Sequence, residues 1–137
     1  MATYLRATPF LATRDLARTV EFYTQVLGFR VETLHPREQP TLAILDRDVS
    51  PASHGGASII FDSSLWTDPP VLTGQIHFDL SPGGVQEMLE RVRGQAEILW
   101  GPEVYDYGRR EFSCRDPNGY ALVFSEVTAD PPTCSDG

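Results

Sequence analysis

Cysteine is scarce in this chain. Only Cys114 and Cys134 occur among 137 residues, too few for a disulfide framework, and neither stands near a histidine at zinc-site spacing. Cys114 falls in an apolar, strand-like stretch and Cys134 in a Pro/Ser/Asp tail. That predicts one buried thiol, one exposed thiol and a reducing compartment. Basic residues are also few: 11 Lys and Arg stand against 19 Asp and Glu, a net charge of −8. This balance excludes a nucleic-acid partner, which needs a basic face. It suits a cationic ligand, or simply a solvated acidic surface. Long apolar runs are missing too. None approaches the ~20 residues of a membrane span, and the first six residues lack the basic-then-apolar order of a secretory signal. A cytoplasmic protein with no membrane partner is expected.

What is present is a pattern that occurs twice. A short extended run over residues 8–13 is followed by Asp15, an N-cap, and by Leu16, Val20, Tyr23 and Leu27 at helical spacing, with Gly28 as the stop. Strands are predicted over 29–34, 41–45 and 57–61, the last two separated by a loop containing His54. His54 and His35 read as surface residues. Residues 64–74, with Pro69 and Pro70, form a linker. The order then repeats. A strand over 75–80 leads to Ser81-Pro82 and a helix with Val85, Met88, Leu89 and Val92 on one stripe. Strands over 97–100, 110–114 and 120–127 follow, the last two joined by the turn Asp116-Pro117-Asn118-Gly119. The reading is an α+β fold: one domain over 1–129 and a disordered-looking tail over 130–137. Within it, module one spans about 5–63 and module two about 75–127, each with the order βαβββ. One helix per module covers one sheet face, which predicts curved mixed sheets enclosing a small-molecule cleft.

Two stretches carry a family resemblance. Pro9-Phe10-Leu11-Ala12-Thr13-Arg14-Asp15-Leu16, with Glu21-Phe22-Tyr23 and Val26-Leu27-Gly28-Phe29, resembles the first module of the vicinal-oxygen-chelate superfamily. That superfamily contains glyoxalase I, extradiol dioxygenases, fosfomycin-resistance enzymes and bleomycin-resistance proteins. The run from Tyr107 to Phe112, then Arg115-Asp116-Pro117-Asn118-Gly119-Tyr120, is similar to its last hairpin. Metal-dependent members carry four ligands on cleft-facing strands, usually His, Glu, His and Glu. The resemblance places these on Thr8, Ile60, Gln75 and Val123. Isoleucine and valine offer no donor atom, so no metal and no cofactor is expected. His77, two residues from Gln75 and on the same strand face, is the alternative occupant of the third position; Asp79 shares that face.

The resemblance then implies the nonmetal, bleomycin-resistance-like branch: a homodimer that sequesters a drug or metabolite, with Pro9 in the position associated there with strand exchange. Strand parity marks Thr8, Phe10, Ile60, Gln75, His77 and Val123 as inward-facing. Trp66, Trp100, Tyr105 and Tyr107 are candidate stacking walls for a flat or cationic ligand. Glu111 is on the opposite face of its strand from Arg110. It reads either as the partner of a ligand cation or as half of a surface ion pair. The sequence has no G-x-S-x-G elbow, no Cys–His motif and no phosphate-binding glycine loop. An enzyme remains the alternative: a lyase, isomerase or dioxygenase-like protein using His77 as base and Gln75 to polarise a carbonyl, with or without a divalent metal. A third reading is a partner module, with Leu65-Trp66 as a contact patch.

Overall fold

The computed structural model describes residues 2–49 and 55–134; His54 lies outside them. The chain divides into two compact units, Met1–Val71 and Leu72–Gly137, and the division falls inside the proline-bearing linker. No helix among the described residues is long and apolar enough to cross a membrane.

In the first unit, β1 (Phe10–Ala12) leads to α1 (Leu16–Glu21), then β2 (Arg30–His35), β3 (Leu42–Arg47) and β4 (Ala57–Asp62). The sheet order is β1-β4-β3-β2, with β1 parallel to β4 and the rest antiparallel. Asp15 caps α1 as expected, its carboxylate accepting from the Arg18 amide at 3.1 Å. Past Glu21 the helix widens over Phe22–Val26, where the Leu27 amide bonds to the Phe22 carbonyl five residues back. This turn aims Tyr23 into the core, where its ring meets Phe61 at 5.0 Å and Phe29 at 5.6 Å. Tyr23, Leu27, Ala43, Leu45 and Phe61 have no exposed surface. The strand expected over 8–13 is shorter: Thr8 is exposed and precedes β1, because pairing with β4 begins at Phe10. The linker opens with a helical turn, Ser63–Leu65, capped by Asp62.

The second unit repeats the plan with β5 (Gln75–Leu80), α2 (Gly84–Val92), β6 (Ile98–Tyr105), β7 (Arg109–Arg115) and β8 (Ala121–Val127), in sheet order β5-β8-β7-β6. Val85, Met88, Leu89 and Val92 are all buried, as their spacing predicts. Beneath the helix side, Phe78, Phe124 and Phe112 form a stacked row with successive centroids 5.2 Å apart. A buried side chain of this size is worth about 1.5–3 kcal/mol. The start of α2 has no local cap. Glu126 of β8 supplies one, accepting from the Gly83 amide at 2.6 Å and the Val85 amide at 3.0 Å. The Asp116 turn forms as read: its carboxylate accepts from the Asn118 and Tyr120 amides, both at 2.9 Å, and Gly119 sits at φ 100°.

Two expectations for this unit are corrected. The strand expected over 97–100 runs on to Tyr105, because β6 absorbs a bulge around Gly101 and resumes pairing at Glu103. Residues 130–134, read as part of a disordered tail, lie along β6. The Thr133 and Cys134 amides bond to the Val104 carbonyl, and Arg110 pairs with Asp130. They satisfy backbone groups on a sheet edge.

Candidate functional site: a polar and aromatic sheet face

On β5, Ile76, Phe78 and Leu80 alternate with Gln75, His77 and Asp79. The first three share a side with the buried phenylalanines, so Gln75, His77 and Asp79 stand on the face away from α2. Register carries that face across the sheet. His77 is level with Val123, Asp79 with Ser125, Ser125 with Glu111, Val123 with Ser113, and Ser113 with Trp100. Glu103 and Tyr105 complete it opposite Glu111 and Arg109.

Glu111 is the centre of a hydrogen-bond network. Only 6% exposed, its carboxylate accepts from the Ser125 hydroxyl at 2.8 Å and from the Tyr107 phenol at 2.8 Å, and lies 3.2 Å from His77 Nε2. Arg109 donates to Ser125 Oγ at 2.9 Å and to Asp79 at 3.0 Å. Because Ser125 Oγ accepts from Arg109, its own proton is directed to Glu111. Burial alone pushes the Glu111 carboxyl up. The hydrogen bonds from Ser125, Tyr107 and His77 outweigh that, and its pKa is lowered, so it is ionised at neutral pH. Desolvation and the bond to Glu111 push the Tyr107 phenol up to about 12, which keeps it a donor.

An aromatic row runs beside this carboxylate. Tyr105 and Tyr107 stack in parallel, centroids 5.3 Å apart and planes 5° from coincidence. Trp100 meets Tyr105 edge-on at 6.2 Å. Trp100 is 36% exposed and Tyr107 55% exposed. The row therefore presents π-surface next to the carboxylates of Glu111 and Glu103, while the nearby Arg109 guanidinium is paired with Asp79.

A family model for the glyoxalase/bleomycin resistance protein/dioxygenase superfamily matches residues 5–124. The chain belongs to that superfamily. Solved structures agree on the fold. TioX from Micromonospora sp. ML1 is 21% identical with a TM-score of 0.66, covering 88% of this chain and 96% of its own. A glyoxalase/bleomycin resistance protein/dioxygenase family enzyme from Burkholderia phytofirmans PsJN is 19% identical with a TM-score of 0.67 over the same shares. A lactoylglutathione lyase from Agrobacterium tumefaciens is 18% identical with a TM-score of 0.61, covering 87% of this chain and 90% of its own. None of the curated proteins matches the chain.

The four positions that the resemblance assigns to metal ligands can be tested by the chemistry of the residues that occupy them. Ile60 and Val123 end in hydrocarbon and Thr8 lies outside its strand, which leaves the Gln75 amide as the donor at a strand position. Among the described residues no group of three His, Cys, Asp or Glu is placed to hold an ion. His77 is turned to Glu111, and Glu111 is committed to three partners. The donor set does not fit a divalent ion.

The sequence-derived candidates divide between the two units. Gln75, His77, Val123, Glu111, Trp100 and Tyr107 share the second unit's helix-free face. Phe10 and Ile60 are register partners in the first unit, where Phe10 is 51% exposed. Trp66 follows the turn after β4, and its indole donates to Asp68 at 3.1 Å. Glu111 is buried rather than part of a surface ion pair. The arginine reaches it through Ser125, which sequence reading missed; its signal was the position two residues past Val123 on β8. Cys114 is buried and its thiol is pushed up to about 12 by burial, so it is inert as a nucleophile.

Proposed function

We propose that this chain is a small-molecule-binding protein that sequesters a drug or metabolite without a metal ion, and that the ligand is flat and cationic. The supporting observation is the Trp100–Tyr105–Tyr107 row alongside the buried, ionised Glu111. A ring cation over such a row gains about 0.5–2 kcal/mol from cation–π contact, more where water is excluded. Glu111 adds a charge whose orientation is fixed before binding, which lowers the ordering cost. The net charge of −8 raises the local concentration of a cation. Homodimer formation and a cytoplasmic location belong to the same reading; β2 is a sheet edge, as a strand-pairing partner requires.

Calorimetric titration with proflavine, a flat acridine cation, tests the proposal. Wild type binds, and Trp100→Ala and Glu111→Gln each weaken binding about three- to thirtyfold. Absence of binding to wild type, or unchanged affinity in both variants, refutes it.

A second reading rests on His77. Its Nε2 is 3.2 Å from Glu111, its Nδ1 faces Asp79 at 3.6 Å and its side chain is 42% exposed, so two carboxylates orient an imidazole that a substrate can still reach. On that reading the chain is a lyase or isomerase. Incorporation of solvent deuterium into dihydroxyacetone, lost in His77→Ala while proflavine affinity persists, supports it; no incorporation by wild type refutes it.

A further inference from the structure

Ser113 is the one buried side-chain polar atom among the described residues with no hydrogen-bond partner. Its residue has no exposed surface, and it sits on the helix-free face between Val123 and Trp100, two residues beyond Glu111 on β7. A buried hydroxyl left unpaired is destabilising, because folding strips it of water and gives it no replacement partner. The fold does not require a polar side chain here. In the first unit the corresponding position, paired with Ile60 as Ser113 is paired with Val123, is filled by Ile44. The second unit therefore keeps a strained choice where the first has a hydrocarbon. The register neighbours of Ser113 differ in freedom: Val123 is 1% exposed and Glu111 6%, whereas Trp100 is 36% exposed and lies in a bulged stretch of β6. Trp100 is the neighbour that an entering molecule can displace.

We infer that the Ser113 hydroxyl is a specificity-determining contact for the ligand, pairing with a hydrogen-bonding group on the rim of its ring system once Trp100 moves aside. This rests on the binding reading above and adds to it the position that distinguishes ligands of equal shape and charge. A site that supplies a buried hydroxyl favours the ligand that can pair with it over one that cannot, because the second leaves the hydroxyl unsatisfied.

Two probes of like shape and charge test this. Proflavine carries amino groups that can donate to Ser113 Oγ; 10-methylacridinium has the same ring system and charge but no donor. Wild type prefers proflavine, and Ser113→Ala weakens proflavine about tenfold while leaving 10-methylacridinium unchanged. The same substitution raises the unfolding midpoint of the ligand-free protein by roughly 2–4 °C, since it removes an unpaired group. A structural serine would lose stability and affinity together. If proflavine binds wild type through Trp100 and Glu111 but Ser113→Ala changes neither the preference nor the midpoint, the Ser113 assignment fails and the binding reading stands. If neither probe binds wild type, both fail.

Discussion

The Tyr107 phenol donates to Glu111 Oε1 at 2.8 Å while its ring stacks on Tyr105 at 5.3 Å. One side chain thus joins the carboxylate network to the aromatic row. Tyr107→Phe separates the two contributions: the stack is kept and the donor lost. We expect a stability loss of about 0.5–1.5 kcal/mol, at the low end of bonds to charged groups because Tyr107 is half-exposed. Ultraviolet titration reads the same bond from the other side, with a phenol that ionises near pH 12 in wild type missing in the variant.

Glu111 links stability to pH. Its folded pKa lies below the ordinary carboxyl value, so its contribution is complete above about pH 4.3, the unfolded value, and disappears as pH falls through the lower folded one. Urea midpoints of wild type and Glu111→Gln should therefore differ at pH 7 and converge below pH 4. A difference that persists or grows in acid contradicts an ionised Glu111.

Glu126 performs a task that α2 cannot perform for itself. With Gly83 at the N-cap position there is no local side-chain acceptor, and the Glu126 carboxylate takes both amides. Glu126→Ala should lower stability by about 1–2 kcal/mol, and hydrogen exchange should accelerate first at Gly83 and Val85. Unchanged protection there contradicts the cap.

Gly101 sets how closely β6 approaches the site strand. At φ 79° a Cβ would lie 2.5 Å from the Glu111 carbonyl oxygen and 2.9 Å from the Phe112 Cα. Both are backbone atoms that cannot yield cheaply. Gly101→Ala should cost more than about 1 kcal/mol and weaken proflavine binding by moving Trp100. Wild-type stability in that variant contradicts the close approach.

Much of the fold was legible because period and punctuation agree locally. Asp15 and the Val85-Met88-Leu89-Val92 stripe needed no tertiary information, and the Asp116 turn is written in four consecutive residues. The bulge at Gly101 was not legible, since two residues facing one reads in sequence as the end of alternation. Nor was the pairing of residues 130–134, where polar composition suggested solvent but the edge of β6 offered unpaired backbone groups. In the site, parity placed Gln75, His77 and Val123 on one face. It could not show that Glu111 is buried, because the three groups that stabilise it lie on three different segments: β5, the β6–β7 turn and β8.

Amide and indole chemical-shift mapping with proflavine locates a flat cation bound on the second unit's aromatic and acidic sheet face. Saturable shifts are expected at the Trp100 indole and at the amides of Tyr105, Tyr107, Glu111 and Ser113, with the Trp66 indole unmoved. Shifts confined to residues 2–71, or no saturable shift at any residue, would contradict binding on that face.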